Sequence, residues 1–279
     1  MIILDSVKNE NLYFWGKRTS TLDWCEENYA KNHYIAEFWN TLTNFAFSNL
    51  AYSGISSDLS ANHGKRLIAC RLGFLLVGIG SMCFHATLKY STQLLDELPM
   101  LYVATLSSYA LLEIHPRPRF GWKLPLALFL INLAVTLAYL WVVDPIFHQV
   151  VFASFVLFCF ARGYVLMGKL PDDHTKHTLI LLLSRSALMF IAGFGVWNLD
   201  NFLCHRLRSY RSYLQFPLDG LLQLHGWWHI LTGYACHYAF TFIILLRTVL
   251  WNDLNRFELK YNEFAVPNVV LRRHKSKPF

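Results

Sequence analysis

Seven long apolar stretches constrain the fold of this chain more than any other feature of its sequence. A helix needs about 20 mostly apolar residues to cross a bilayer. Segments of that kind fill most of the sequence, at 34–55, 67–88, 93–114, 124–143, 146–167, 178–199 and 221–250, of which the first is the most polar. We therefore predict an all-α, polytopic membrane protein that folds as a seven-transmembrane helix bundle.

The composition supports this class and disfavours others. Hydrophobic residues make up 54% of the 279 residues and charged residues only 15%, whereas a soluble domain carries about a quarter charged residues. A disordered chain, a small disulfide scaffold and an ordinary soluble enzyme do not fit these values. The net charge of +7 is modest, and we attribute it to membrane topology rather than to a nucleic-acid partner.

The distribution of lysine and arginine predicts which side of the membrane each segment faces. Cytosolic segments carry the excess of these residues, and the best assignment puts the N-terminus in the lumen and the C-terminus in the cytosol. No signal peptide is visible in residues 1–22, so the first stretch must insert itself. The chain then divides into a lumenal N-terminal segment (1–33), a seven-helix transmembrane domain (34–250) and a cytosolic tail (251–279).

The last residues of the sequence carry a candidate sorting signal. Lys275 and Lys277 stand fifth and third from the end, like a dilysine signal that returns proteins to the endoplasmic reticulum by binding the COPI coat. An ordinary basic tail explains the same residues equally well. With the signal, we expect an integral membrane protein of the endoplasmic reticulum or the Golgi.

Four ionisable side chains lie inside the stretches at one predicted depth. His85, Asp96, His225 and His229 fall near the lumenal ends of the second, third and seventh stretches, and such residues are costly in a membrane and usually functional. His225 and His229 are one helical turn apart. With His85 they would leave one tetrahedral zinc position open, as catalytic zinc sites do. For a lone histidine pair, buried hydrogen-bonded side chains are the simpler interpretation.

Two neighbours of these histidines suggest a reaction. Asp96 could hold and deprotonate a water and pass the proton to a leaving group. Ser81 precedes His85 by one turn and could stabilise a developing oxyanion, although a small residue for helix packing is nearly as good an interpretation. Other polar residues have simpler interpretations, which are packing or pore lining for His237 and capping or pairing for Glu97. Asn198, Asp200 and Asn201 either support the metal ligands from the same layer or end the sixth helix, and the two interpretations are equally good.

The N-terminal segment holds an acidic cluster and a cysteine. Asp23, Glu26 and Asn28 offer oxygen ligands of the kind that calcium takes, but their spacing alone favours a solvated acidic turn. Cys25 and Cys204 are the two cysteines on the predicted lumenal side, where disulfides form. We therefore predict a disulfide between them.

Five short strings resemble the alkaline ceramidase family, which consists of seven-helix membrane amidases with a buried zinc. The strings are STLDWCEENY (20–29), IAEFWNT (35–41), CFHATLKY (83–90), LLDELPM (94–100) and HGWWHILTG (225–233). Together they are highly specific. The resemblance runs from about Trp15 into the seventh stretch, and the tail resembles nothing that we can place.

The resemblance implies a reaction, two metals and a set of residues. The reaction is hydrolysis of ceramide, phytoceramide or dihydroceramide, a membrane lipid, to a sphingoid base and a fatty acid. Zinc would be bound by His85, His225 and His229, with Asp96 serving the water and Ser81 contacting the amide. The resemblance also favours the Cys25–Cys204 disulfide, and it implies structural or regulatory calcium bound by Asp23, the Trp24 backbone carbonyl, Glu26, Asn28 and Glu37.

Three other functions remain open at this point. A seven-helix receptor of the adiponectin and progestin type would share the three-histidine zinc arrangement. A lipid-remodelling hydrolase would cleave glycerolipid esters, and a transporter would use the histidines and the aspartate as a proton relay. The string Asp-Trp-Cys-Glu-Glu-Asn at 23–28 favours a ceramidase over each of them.

Overall fold

The computed structural model describes residues 13–272, so Lys275 and Lys277 of the predicted sorting signal lie outside the described residues. Within that range, 3-10 turns at Leu218–Leu222 and Leu254–Arg256 flank the last helix. The helices and strands are α1 (Phe38–Thr43), α2 (Phe45–Ser60), α3 (Lys65–Thr87), α4 (Tyr90–Leu112), α5 (Lys123–Val142), α6 (Pro145–Met167), α7 (His174–Arg211), α8 (Leu224–Leu250), β1 (Phe257–Tyr261) and β2 (Pro267–Leu271).

Helices α2 to α8 form the predicted bundle, and the all-α membrane class is confirmed. Among the described helices, α3, α5, α6, α7 and α8 are long and apolar enough to cross a membrane by length and composition. Helix α2 is shorter, at 16 residues, and α4 buries polar side chains such as Gln93 and Glu97. Helix α5 buries Tyr139 and exposes large apolar side chains such as Phe129 and Leu137, as a lipid-facing helix does.

The packing of α3 against α4 positions the candidate site. Only Leu88 and Lys89 separate the two helices, so the end of α3 lies beside the start of α4. Gly80 allows a close approach, because a Cβ there would collide with the backbone carbonyl of Leu95. We call this end of the bundle, where α3 ends and α4 and α8 begin, the site end, and the opposite end the far end.

Two helices end elsewhere than the sequence predicts. The first stretch is interrupted at Asn44, which separates α1 from α2 and whose side-chain amide donates to the Asn40 carbonyl. The sixth helix does not end at 198–201 but continues to Arg211. Asn198 and Asn201 donate their side-chain amides to carbonyls one turn earlier, which leaves the helix backbone intact. The prediction that these residues end the helix is wrong.

The predicted tail contains a β-hairpin that packs against the far end of the bundle. Strands β1 and β2 are antiparallel, with Phe257 opposite Leu271, and β2 contacts α2 and α8. The carbonyl of Val269 accepts hydrogen bonds from Ser57 and from the ring of His63. Residues 257–271 are therefore part of the folded core rather than a free tail.

Candidate active site

Three histidines from two helices meet inside the site end. His85 lies in the last turn of α3, and His225 and His229 lie in the first turns of α8. One ring nitrogen from each lies within 4.8 Å of the other two, and all three residues are at most 4% exposed. Such a group of imidazoles can hold a metal ion, and the structure brings together the three residues that the sequence predicts.

Polar side chains hold the second ring nitrogen of two of these histidines. The Nδ1 atom of His85 lies 2.5 Å from Oε2 of Glu37. That of His229 lies 3.0 Å from the hydroxyl of Thr43. In both rings Nε2 is left for a metal, the arrangement that protein metal sites use to orient their histidines. The Nδ1 atom of His225 is buried with no hydrogen-bond partner among the described residues, and a metal ion would satisfy a nitrogen of this ring.

Ser81 and Asp96 lie next to the histidines and within interaction range of each other. Ser81 is one turn before His85 on α3, and Asp96 faces it from α4. Both line the same cavity as His225 and His229. The serine hydroxyl and the aspartate carboxylate therefore face the space in front of the imidazoles, where a reacting group would sit.

A large apolar cavity opens from this polar cluster into the bundle. Its volume is about 690 Å³, within the range of sites for small organic ligands. The site end of the cavity is lined by the serine, the aspartate and two of the three histidines. Farther in, the wall is apolar, with side chains such as Phe74, Val103, Phe160, Phe240 and Ile243. The cavity fits an elongated molecule with one polar end and hydrocarbon chains.

A second set of polar residues lines the cavity. Oε2 of Glu97 accepts hydrogen bonds from the Tyr139 hydroxyl at 2.5 Å and from the Gln93 amide at 3.1 Å. The ring of His148 donates to the Glu97 backbone carbonyl over 2.8 Å. The sequence pattern indicates only capping or pairing for Glu97 and gives no signal for Tyr139 or His148, because their contacts depend on how α4, α5 and α6 pack.

The acidic N-terminal segment folds over the histidines. The Trp24 ring stacks on His225, with centroids 4.1 Å apart, and the Trp24 backbone N–H donates to Glu37. Glu26 accepts the backbone N–H groups of Trp39 and Asn40. The segment is therefore built into the site rather than solvated as a free turn.

The predicted calcium ligands are close neighbours, and their oxygen chemistry suits a hard cation. Burial raises the pKa of Glu26 to about 8, and the Glu37 carboxylate adds to the rise. The Oδ1 atom of Asn28 is buried with no hydrogen-bond partner in the described part of the chain. Asp23 accepts from the Asn28 amide and pairs with Arg18. A cation would satisfy the orphaned oxygen and offset the repulsion between carboxylates.

The N-terminal segment is also tied to α7. The structure has a disulfide between Cys25 and Cys204, whose Cα atoms are 5.3 Å apart. Arg211, in the last turn of α7, donates to the Cys25 carbonyl over 2.6 Å and pairs with Glu27. The extension of α7 beyond the predicted end supplies both contacts.

His237 lies away from the histidine cluster. It is fully buried and sits between Arg71 and the backbone carbonyl of Pro267. Among the described residues, those that line the cavity do not include His237. Of the two readings of the sequence, packing rather than pore lining applies.

These features define a class of protein, a polytopic membrane protein with a buried histidine centre and a lipid-sized cavity. The Ceramidase family model matches residues 16–270, so the similarity extends from the N-terminal segment into the hairpin. Over 238 residues the chain is 40% identical to alkaline ceramidase 3 of Mus musculus, covering 85% of this chain and 87% of the relative.

Similarity to ceramidases of two further organisms supports the same family assignment. Over 275 residues the chain is 35% identical to alkaline ceramidase YPC1 of Saccharomyces cerevisiae, covering 94% and 87%. Over 270 residues it is 29% identical to the alkaline ceramidase of Arabidopsis thaliana, covering 95% and 97%. The chain belongs to the alkaline ceramidase family of membrane enzymes, which confirms the resemblance of its motifs.

Proposed function

We propose that this protein hydrolyses the amide bond of ceramide, or of its phyto- or dihydro-forms, to a sphingoid base and a free fatty acid. The observation that carries the proposal is the cavity, whose wall joins Ser81, Asp96, His225 and His229 to an apolar interior. Ceramide has a polar amide head and two hydrocarbon chains. Its head fits the polar end of the cavity and its chains fit the apolar part.

Zinc is the metal that we propose for His85, His225 and His229. The donor set is three imidazoles in a buried site, which suits zinc and leaves one position open for a reacting group. Zinc held in this way supplies Lewis acidity and makes a hydroxide nucleophile available near neutral pH. Glu37 and Thr43 would keep two of the rings in the required orientation and tautomer.

The chain's own residues account for the proton transfers. The Asp96 carboxylate, on the cavity wall, would take a proton from the attacking water and deliver it to the departing amine nitrogen of the sphingoid base. The Ser81 hydroxyl would donate a hydrogen bond to the amide oxygen as negative charge develops there. The proximity of Ser81 to Asp96 would let both groups act on one amide bond.

We also propose that calcium binds Asp23, the Trp24 carbonyl, Glu26, Asn28 and Glu37. Support comes from the buried, unpartnered Asn28 oxygen and from carboxylates held near one another in a folded segment. Calcium there would have a structural or regulatory role, because Glu37 contacts His85 and Trp24 stacks on His225.

For location, we propose an endoplasmic reticulum or Golgi membrane protein with a lumenal N-terminus, a cytosolic C-terminus and retrieval through Lys275 and Lys277 by the COPI coat. The disulfide at the site end supports a lumenal site, since the lumen is oxidising.

Purified protein in detergent, given a panel of ceramides and glycerolipids, tests the proposal. We expect fatty acid from ceramide, and loss of this activity in His225→Ala and in Asp96→Ala that retain the wild-type thermal midpoint. His115→Ala, at an exposed histidine, is the matched control and should remain active. Fatty acid released only from glycerolipids would instead indicate a glycerolipid hydrolase, and elemental analysis of active protein without stoichiometric zinc would refute the metal assignment.

A further inference from the structure

Glu97 is an acidic residue inside the bundle that the proposed hydrolysis does not use. It is 6% exposed and lines the cavity together with His148 and Gln149 of α6. An ionisable side chain at such a position is costly and usually has a function. Capping does not explain it, because Glu97 lies in the interior of α4.

One oxygen of Glu97 is held by the protein and the other is left for a ligand. Tyr139 and Gln93 both donate to Oε2. Oε1 has no hydrogen-bond partner within residues 13–272, yet it is not one of the unpartnered polar atoms that are fully buried there. Oε1 is therefore accessible from the cavity. The Gln93 amide also donates to Thr21 of the N-terminal segment, which braces the carboxylate from behind.

Two polar side chains of α6 lie beside Glu97 on the cavity wall. His148 uses Nε2 to donate to the Glu97 carbonyl over 2.8 Å, which leaves its Nδ1 atom as a possible acceptor. Gln149 lines the same cavity, and its side chain has no hydrogen-bond partner within residues 13–272. We call Glu97, His148 and Gln149 the polar patch.

The polar patch lies close to the proposed reaction site but points elsewhere. Asp96 and Glu97 are consecutive, so their Cα atoms are about 3.8 Å apart, while their side chains diverge by roughly 100° around α4. In a ceramide, the carbon that carries the amide nitrogen has a hydroxyl-bearing carbon on each side. A lipid with its amide at Ser81 and Asp96 can therefore bring a hydroxyl to Glu97.

We propose that Glu97, supported by Tyr139 and Gln93 and flanked by His148 and Gln149, binds a hydroxyl group of the sphingoid base and thereby determines specificity for hydroxylated lipid amides. This inference rests on the proposed function and deepens it. Glu97 contacts the substrate but not the reacting bond, whereas Tyr139 and Gln93 are positioning residues.

Three amides with the same acyl chain test the inference, namely ceramide, 1-deoxyceramide and 3-deoxyceramide. We expect the wild-type protein to prefer ceramide over at least one deoxy analogue by about 10- to 100-fold in kcat/KM, which corresponds to one hydrogen bond to a charged group. Glu97→Gln should lose this factor on ceramide and leave turnover of that analogue unchanged. The preference between the two lipids then falls to about one.

Tyr139→Phe is a second variant that tests the role of Glu97, and the chain offers a matched control for it. Loss of the Tyr139 hydroxyl should weaken the same preference, because Glu97 loses a donor. Tyr102→Phe removes another hydroxyl contact between α4 and α5, to Thr136 at 3.0 Å, on a residue outside the described cavity wall, and should change nothing.

The outcomes separate the inference from the proposed function. Equal losses on all three amides in both variants, or a wild type that does not distinguish them, would overturn the role of Glu97 while leaving ceramide hydrolysis intact. A wild type that hydrolyses none of the amides would remove the proposed function and this inference with it. A Glu97→Gln protein that fails to fold leaves Tyr139→Phe to decide.

Discussion

Glu37 contacts His85, with its Oε2 atom 2.5 Å from the imidazole Nδ1. The other carboxylate oxygen accepts the Trp24 backbone N–H at 3.2 Å. One side chain thus belongs to the proposed calcium ligands and also orients a proposed zinc ligand. This contact offers a physical route for the coupling that we propose between the two metal sites, because a shift of the Glu37 carboxylate would move its hydrogen bond to the His85 ring.

The first prediction concerns that contact. Glu37→Gln removes the charge that orients His85, and we expect zinc affinity to fall by about 10- to 100-fold, the usual effect of losing such a partner. Zinc retention during titration with a competing chelator measures it. Glu263→Gln, at an exposed position of the hairpin, is the control, and equal zinc retention in the two variants would contradict the role of Glu37.

The second prediction concerns calcium. Removing calcium with a selective chelator while zinc stays bound should lower ceramide hydrolysis by about tenfold or more, because the segment that supports His85 and His225 loses its cation. Adding calcium back should restore the rate. Asn28→Ala should need more calcium for the same rate, since its side-chain oxygen is a proposed ligand. Unchanged turnover in calcium-free, zinc-loaded protein would refute the coupling.

The third prediction concerns the disulfide. Thiol titration of unfolded, non-reduced protein should find the four cysteines outside the bond, which are Cys70, Cys83, Cys159 and Cys236. Cys204→Ser should lower the free energy of unfolding by about 2–4 kcal/mol, since the cross-link no longer restrains the unfolded chain. The thermal midpoint in detergent reports the loss, with Cys83→Ser as control. Six titratable thiols would rule out the bond.

The fourth prediction concerns the pH dependence of hairpin packing. Burial lowers the pKa of His63, and Arg247 and Arg71 lower it further, against the Val269 carbonyl and Asp58, which raise it. The folded protein therefore favours neutral His63. The contribution of neutral His63 to the free energy of unfolding is complete above the ordinary histidine pKa of about 6.5. This contribution is lost as the pH falls from 6.5 through the pKa of His63 in the folded protein, because the unfolded state binds the proton more readily.

A comparison of variants isolates this effect from the other histidines. The thermal midpoint of wild-type protein should fall more steeply between about pH 7.5 and pH 5.5 than that of His63→Gln, which keeps a donor for Val269 but does not titrate. Parallel pH curves for the two proteins would show that His63 does not contribute.

The sequence predicts the parts of this protein that follow from local patterns. The apolar stretches identify the helices of the bundle, and the spacing of His225 and His229, with the depth of His85, places three imidazoles in one layer. These inferences need only the helical repeat and the membrane thickness.

Other features depend on contacts between distant segments and were missed. The contact of Glu97 with Tyr139 requires the packing of α4 on α5, and α7 continues to Arg211 because its end is held by the Cys25 carbonyl. The hairpin did leave a signal in the sequence, which is two short runs at 257–261 and 267–271 around a turn. Their attachment to the bundle could not be read from the sequence.

The position of the hairpin has a consequence for biosynthesis. Phe257 and Val269 share one apolar cluster with Leu67, Leu179 and Ile244, so helices made early meet their last neighbours only after residue 271 has left the ribosome. We expect the seven helices to enter the bilayer as a loosely associated set and to close afterwards. A premature stop codon just after α8 would then yield inserted protein that is open at one end and a substrate for degradation.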